Sequence, residues 1–590
     1  MPKIKVGPAF FDSVKGERIS RSRSRSNLIS DEVLVLAPLF FLFLFFGIIL
    51  ARLFYLQILR GDYYKTLSDQ NRTRTLSISA PRGIIFDRNG KPLVSNSPSF
   101  KIIENGKVRL LSKDEALRMI SDGKPVQNDV LRDYREAGAF AHVVGYIGQI
   151  SPDEINLPEF DDYSSYDFVG KSGLEKEYEK YLHGVDGKFL YEVDSRGVLV
   201  RQLGEDPPTP GYNLNTTLDG DIGLSVESAM KGVEHGAVVV SDPRNGGILA
   251  LFSAPSFDPN LFTHPASYKP EGQYKDVQSV LSDSQGLPLL DRATGGAYPP
   301  GSTFKLVAAT AALEKGSIDE NTEIEDTGIL KVGTFSFGNW YYLQYGRTEG
   351  NLNIVGAIKR SNDIFFYKTA EKTGVDYISS WARTFGMGSK LNIDLPSEAE
   401  GTIPTIEWKE KNIGEQWYLG DTYNYGIGQG YILATPLQVN SFTEVFANGG
   451  TLWQPHLLAD QTKAIKTGFI KPGNINLVRQ GMLEACDTGG VAWPLFDFKV
   501  KNPKLKIDNI DYTQDASAGA NMVHVKVACK TGTAETSPDK APDAWITVFA
   551  PFNHPEIAVT VLVENGGEGS SIAGPIAKQI LTDYFTKKNN

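Results

Sequence analysis

The sequence predicts an α/β (α+β) protein: an antiparallel sheet flanked by helices, preceded by a β-rich domain and by one transmembrane helix. Three observations predict it. Strong apolar strands open and close the C-terminal region with helical segments between them, which favours a helix-flanked sheet over a repeating βαβ series. Val33–Leu50 reads VLVLAPLFFLFLFFGIIL, eighteen residues without a charge, extended by Ala51, Leu53 and Phe54 around Arg52. Between 139 and 205, strand-like and helix-like periodicities alternate in segments such as AFAHVVGYIGQI and GKSGLEKEYEKYLHG.

Taken in order, residues 1–32 form a tail with seven basic residues, Lys3, Lys5, Lys15, Arg18, Arg21, Arg23 and Arg25. Such charge collects on the cytoplasmic side of a membrane, so the tail is expected inside and everything after Arg52 outside. Residues 33–54 are expected to be a single-pass anchor in the cell (inner) membrane. A cleaved signal peptide fits less well, because the run exceeds an h-region and Ala51-Arg52-Leu53-Phe54 offers no small-x-small cleavage site.

Residues 55–210 begin with an amphipathic stretch that suits a helix leaving the membrane. A short apolar strand in Ala80–Gly90, with an Asn-Gly turn at its end, follows. Lys113–Ser121 reads as a helix, and Asp206-Pro207-Pro208-Thr209-Pro210-Gly211 as a linker. Residues 211–590 then open with a strand at Asn213–Leu218 and a hairpin, AVVVSDPRNGGILALFSAP. Helices are expected near 302–315, 352–372 and 436–448. Closing strands are expected at Val523–Cys529, Ala544–Phe549 and Ile557–Glu564, and a last helix from Ile572 to Phe585.

Composition excludes several classes. A net charge of −10 argues against nucleic acid as a partner. Two cysteines are too few for a disulfide framework or a Cys-based zinc site; Cys486 and Cys529 could form one bridge, but read better as buried thiols. The seven histidines are scattered, so neither a metal nor a cofactor is expected.

The chemistry is carried by three short strings. A serine hydroxyl is a weak nucleophile until a base takes its proton, and a lysine one helical turn away can do so if held neutral. Ser-x-x-Lys occurs four times, at Ser121, Ser228, Ser302 and Ser537. Only Ser302 follows a Pro-Pro-Gly turn and opens a long apolar helix, in Tyr298-Pro299-Pro300-Gly301-Ser302-Thr303-Phe304-Lys305, where backbone N–H groups at a helix start can hold an oxyanion. The second string is Ser361-Asn362-Asp363. The third, Lys-Thr-Gly, occurs at Lys372, Lys466 and Lys530. Lys530 ends the strand VHVKVACK and continues as Thr531-Gly532-Thr533, a sheet edge suited to a peptide carboxylate, with Gly532 admitting a ligand close to the backbone. This trio is the general motif set for penicillin-binding proteins and class A β-lactamases.

YPPGSTFK, the SND triplet and KTGTAE with AWITVFAP together resemble the active-site motifs of penicillin-binding transpeptidases, whose catalytic domain is serine β-lactamase-like. APRGIIFDRNGKPLVSN resembles the first motif of the pedestal domain in the class B members. Tyr298-Pro299-Pro300 and GDTYNYGIGQGYILATPLQ resemble the elongation-type branch, penicillin-binding protein 2, more than the division-type branch. The resemblance implies a peptidoglycan D,D-transpeptidase. Ser302 would attack a stem peptide ending in D-Ala-D-Ala, Lys305 would take its proton, and Ser361 would relay a proton between Lys530 and the leaving amine. Asp363, Thr531, Gly532 and Thr533 would hold substrate, Thr531 and Thr533 through its carboxylate. β-Lactam antibiotics as acylating ligands and a SEDS-type glycosyltransferase as partner are implied in the same way. This chain departs from the family in carrying Asp363 where asparagine is usual, so an amide donor is replaced by an acceptor, and Cys529 where glycine is common.

Rival readings share parts of this pattern. A β-lactamase needs a carboxylate that activates water, and Glu349-Gly350-Asn351-Leu352-Asn353 superficially matches its Glu-x-x-Leu-Asn string but precedes Ser361. A bifunctional glycosyltransferase-transpeptidase would need a motif with histidine, which Leu53–Ala141 lacks. A catalytically weak β-lactam-binding scaffold would keep the same strings with little turnover.

Overall fold

A computed structural model describes residues 31–104, 107–124, 126–194, 199–501 and 522–587. The basic tail lies outside the described residues. The chain divides into two compact units, one of residues 1–76 with 189–205, the other of 77–188 with 206–590.

In the first unit a helix runs through Asp31–Phe54, twenty-four residues, or about 36 Å at 1.5 Å per residue. That length crosses a bilayer core of about 30 Å. Its Phe and Leu side chains, from Leu36 through Leu50, stand exposed rather than packed. A π-turn (Tyr55–Leu59) and a helix (Gly61–Arg72) follow. A three-stranded sheet is formed by Thr73–Ile78, Gly187–Val193 and Leu199–Asp206.

The second unit contains the pedestal and the catalytic region. The pedestal sheet joins Ile85–Phe86, Pro92–Glu104, Lys107–Leu111 and Gln127–Tyr134, and Leu214–Asn215 pairs in parallel with Ile85–Phe86. The Pro81-Arg82-Gly83 string has a packing reason. A Cβ on Gly83 would stand 1.7 Å from the Tyr212 carbonyl oxygen, and the buried Arg82 guanidinium pairs with Glu175 (2.9 Å) and Glu179 (2.8 Å). The proline-rich segment at 206–211 is not a free linker: Thr209 bridges Val185, and Gly211 N donates to Pro81 O at 3.0 Å.

The catalytic region is built on a five-stranded antiparallel sheet in the order Gly247–Ala254, Gly236–Asp242, Ile557–Val563, Asp543–Ala550, Ala528–Ala534. Nearly every residue of these strands is buried, because helices cover both faces, and that explains runs such as AVVV and IAVTVLV with no polar alternation. Gly220–Ala229 and Ala573–Lys587 pack on one face; Lys305–Lys315, Pro436–Ala447 and Pro472–Ala485 contribute to the core on the other.

Three expectations need correction. The helix expected over 352–372 is two helices, Ile354–Arg360 and Asp363–Thr373, separated at Ser361, whose φ of +52° is left-handed. The strand expected over Val523–Cys529 is two, Met522–His524 and Ala528–Ala534. Cys486 and Cys529, expected as free thiols, are joined in a disulfide with Cα atoms 5.8 Å apart. The helix Pro472–Ala485 packs against the Ala528–Ala534 strand and delivers Cys486, just past its end, to Cys529. A sequence separation of 43 gave no hint of that approach.

Candidate active site

The three strings converge on a cleft at the edge strand of the catalytic sheet. Pro299 and Pro300 end the preceding segment, and Gly301–Phe304 forms a 3₁₀ turn that runs into the helix Lys305–Lys315. Ser302 stands in that turn, partly exposed at the helix start. The turn is clamped from both sides: Tyr298 and Ala434 exchange backbone hydrogen bonds of 2.9 and 2.8 Å, and Gly301 N donates to Gly428 O at 3.0 Å. Lys305, one turn on, is fully buried.

Ser361 closes the helix Ile354–Arg360 in the left-handed conformation, and Asn362 caps the next helix by accepting from Phe365 N at 2.9 Å. A serine with positive φ is a strained backbone position, held here by the two helices it joins. Asp363 is the first residue of the second helix. Its backbone N–H donates to Asn339 Oδ1 at 3.0 Å, and its Oδ2 accepts from Trp340 N at 3.0 Å.

Lys530 lies on the edge strand of the sheet, opposite Thr547, and is fully buried. Its Nζ donates to Ser361 Oγ at 2.8 Å and to Thr531 O at 2.8 Å. Lys305 Nζ donates to Ser361 O (2.7 Å), Asp363 Oδ1 (2.6 Å) and Ser361 Oγ (3.3 Å). The two lysines therefore meet at one hydroxyl, from a helix and a strand more than two hundred residues apart in sequence. Burial pushes the Lys305 ammonium below its ordinary pKa, and Asp363 pulls it partly back. Lys530 is driven well below its ordinary value by burial and then by the neighbouring charge of Lys305.

Gly532 brings the strand onto the serine turn: a Cβ there would stand 3.1 Å from Thr303 Cγ2 and 3.2 Å from Pro300 O. Thr533 is exposed beside it, and its Oγ1 accepts from Gly569 N at 3.4 Å. Ser302, Ser361, Asp363, Thr531, Gly532 and Thr533 all line one cleft of about 790 Å³. Aromatic walls overhang it from a hairpin (Ile329–Val332 with Phe335–Gly338) and a short helix (Trp340–Tyr345). Gln344 Nε2, on that wall, donates to Glu568 Oε1 on the other at 2.6 Å.

The site thus contains every residue picked out in the sequence, though Asp363 spends both carboxylate oxygens on protein donors. Lys372 and Lys466, in the other two Lys-Thr-Gly strings, end a helix and lie in an exposed edge strand. Glu349, in the β-lactamase-like string, is bound by Arg360 Nε and by Asn362 Nδ2 at 3.3 Å, so its carboxylate is engaged behind the second string. Sequence reasoning missed Asn339 and Gly569, which carry no local signal, and Gly428, whose signal was the glycine repeat in Gly426-Ile427-Gly428-Gln429-Gly430. Among the described residues no cluster of His, Cys, Asp and Glu could hold a metal.

Comparison with known proteins gives consistent matches. Residues 236–582 match the model of the penicillin binding protein transpeptidase domain, and 114–216 match the penicillin-binding protein dimerisation domain. The chain is 33% identical to the peptidoglycan D,D-transpeptidase MrdA of Escherichia coli K12, over 92% of either chain. Against the protein of that name from Haemophilus influenzae it is 30% identical, covering 98% of this chain and 95% of the relative. Among solved structures, penicillin-binding protein 2 of Helicobacter pylori in complex with MreC superposes with a TM-score of 0.71 at 28% identity, over 87% of this chain and 98% of that one. Penicillin-binding protein 2 of Pseudomonas aeruginosa in complex with WCK 5153 gives 0.66 at 31% identity, over 87% and 97%.

Proposed function

The chain belongs to the penicillin-binding transpeptidases, in the branch of penicillin-binding protein 2, and from that premise we propose that it is a peptidoglycan D,D-transpeptidase that cross-links stem peptides during cell-wall elongation. The observation that carries this is the convergence of Lys305 and Lys530 on the Ser361 hydroxyl beside Ser302, in a cleft large enough for a peptide.

Ser302 Oγ attacks the carbonyl between two terminal D-alanines of a donor stem peptide. Its proton passes into the cluster of Lys305, Ser361 and Lys530, and the backbone N–H groups of Ser302 and Thr533 receive the oxyanion. Thr531 and the exposed Thr533, on the edge strand, bind the substrate carboxylate, and Gly532 leaves room for the peptide to lie along that edge. The last D-alanine departs, and the amine of a neighbouring stem peptide resolves the acyl-enzyme. A β-lactam enters the same path and stops at the acyl stage. Asp363 faces the cleft but acts chiefly through Lys305.

The apolar N-terminal helix anchors the chain in a membrane. The remainder faces the extracytoplasmic side of the inner membrane; the basic residues before the helix and the Cys486–Cys529 disulfide, a bond that persists in oxidising compartments, both support this orientation. A SEDS-type glycosyltransferase supplies the glycan strands. The test is labelling with fluorescent penicillin: the wild-type chain labels covalently, and Ser302→Ala, folded by its melting curve, does not. Labelling that survives in Ser302→Ala refutes the assignment.

A further inference from the structure

The disulfide lies beside the chemistry. Cys529 immediately precedes Lys530 on the strand Ala528–Ala534, and both side chains are fully buried. That strand is the edge of the five-stranded sheet, and among the described residues it pairs with one strand, Asp543–Ala550. Cys486 sits just past the helix Pro472–Ala485, in a turn closed by Val491 N and Ala492 N, which donate to Ala485 O at 3.1 and 3.0 Å. The same turn grips the second string. Arg360, the residue before Ser361, donates through Nη1 to Gly489 O at 3.0 Å and to Gly490 O at 3.2 Å. Behind it, Gly481 seats the helix Pro472–Ala485 on the helix Ile354–Arg360, where a Cβ would stand 2.6 Å from Ile358 Cβ.

These contacts form a closed ring. It runs from Lys530 to Cys529, across the disulfide to Cys486, and through the turn to Gly489 and Gly490. From there it crosses to Arg360 and Ser361, and it closes where Lys530 Nζ donates to Ser361 Oγ at 2.8 Å. We propose that the Cys486–Cys529 disulfide is a positioning device of the active site: it fixes the edge strand against this turn and so sets the Lys530–Ser361 contact on which the rate of acylation depends. The cysteines touch no substrate; they act through Lys530 and Ser361. This rests on the Ser302 acyl-enzyme reading and adds a covalent requirement to it, since the chain reacts at its full rate only once the bond has formed.

Packing alone would hold this edge less firmly. Cys486 and Cys529 lie in an apolar cluster with Ala492, Leu495 and Val548, and apolar contacts are non-directional. A disulfide, whose Cα atoms here are 5.8 Å apart, has a narrow range of geometry and does not slide. A hydrogen bond of 2.8 Å is lost when its partners separate by about 1 Å, so a small slip of the edge strand is enough to part Lys530 from Ser361. The far side of the ring is anchored independently. Arg360 Nε binds Glu349, and its guanidinium lies 5.7 Å from the ring of Trp340 and 5.2 Å from that of Tyr341. Val491, in the turn itself, lines the cleft.

The test is acylation of the full chain in detergent by fluorescent penicillin, resolved into rate and final extent. Cys486→Ala combined with Cys529→Ala removes the bond without adding a polar atom. This double variant is expected to label to the same extent as the wild type but about 10-fold or more slowly, as a displacement at a reacting site does. Dithiothreitol should slow the wild type likewise and leave the double variant unchanged. In that step two electrons and two protons pass to the S–S bond, which breaks into two thiols, and the dithiothreitol closes to a cyclic disulfide. Arg360→Gln cuts the ring at its other link, so the slowing it causes in the wild type should shrink to less than about 2-fold in the double variant, as for residues that act as a unit. A wild-type rate in the double variant, or full additivity with Arg360→Gln, overturns the proposal. A lower final extent at an unchanged rate overturns it too, since the bond would then only stabilise the fold. If the double variant does not fold, the reduced wild type, scored by two free thiols per chain, decides in its place. Retained labelling in Ser302→Ala would instead sink the underlying acyl-enzyme reading, so the two failures are distinct.

Discussion

At Gly428 the backbone, not a side chain, fixes where Ser302 stands. Its φ is +76°, and a Cβ there would lie 2.1 Å from the Gly301 carbonyl oxygen, so any other residue must push the serine turn away. Gly428→Ala is therefore expected to slow penicillin acylation by about 100-fold, the cost of a displacement near 1 Å at a reacting atom. Acylation kinetics on a variant of unchanged melting temperature check this, and an unchanged rate contradicts it. The placing of Ser302 and both lysines was legible in the sequence because a Pro-Pro-Gly turn, a helix start and a strand end are local signals. The partner of Asp363 was not, since an ion pair between residues 305 and 363 depends on how two helices pack. The substitution of Asp363 for the usual asparagine, which weakened its reading as a substrate ligand, becomes intelligible once Lys305 is seen beside it.

Among the elements, the helix Pro436–Ala447 is the least expected in its chemistry, because it is wholly buried yet carries Gln438, Asn440, Ser441, Thr443 and Glu444. Its apolar residues pack in the core while three of these polar ones bond the sheet: Thr443 with Thr547 at 2.8 Å, Asn440 Nδ2 with Ser241 Oγ at 2.5 Å, and Glu444 with Ser241. Burial pushes the Glu444 carboxyl up to about 8, against Ser241, whose hydrogen bond to it works the other way; Asp242 raises it further. A carboxyl raised on folding lends stability that is fully present below its unfolded pKa of about 4.3 and is lost as pH rises through the folded value. Glu444→Gln should thus melt above the wild type at pH 9, with the gap closing toward pH 5, and the full linkage is on the order of 5 kcal/mol. Melting curves across that range check it; a gap that does not vary with pH contradicts it. Most strands and helices were legible from apolar periodicity. The break at Ser361 was not, because apolar residues continue on both sides of it, although Asn362 followed three residues later by Phe365 was a readable cap. The disulfide was illegible for a different reason: cysteine pairing is a tertiary fact.

For the molecule as a whole, the sequence predicts an anchor, a pedestal and a catalytic region, and the described residues hold a long apolar helix, a pedestal sheet and a five-stranded sheet. What composition could not show is that the proline-rich stretch before the catalytic region is packed, through Thr209 and Gly211, against the pedestal. The proposed orientation predicts that alkaline phosphatase fused after Asn590 is active in intact cells, whereas the same fusion before Met1 is inactive. Activity at the N-terminal fusion would reverse the topology. The central claim is that the Ser302 hydroxyl, in the cleft where two buried amines converge on Ser361, becomes acylated. Mass-spectrometric peptide mapping of the penicillin-treated full chain tests it most directly: the adduct is expected on the peptide that carries Ser302 and on no other. An adduct on a different serine, or a folded chain with none, would contradict the account.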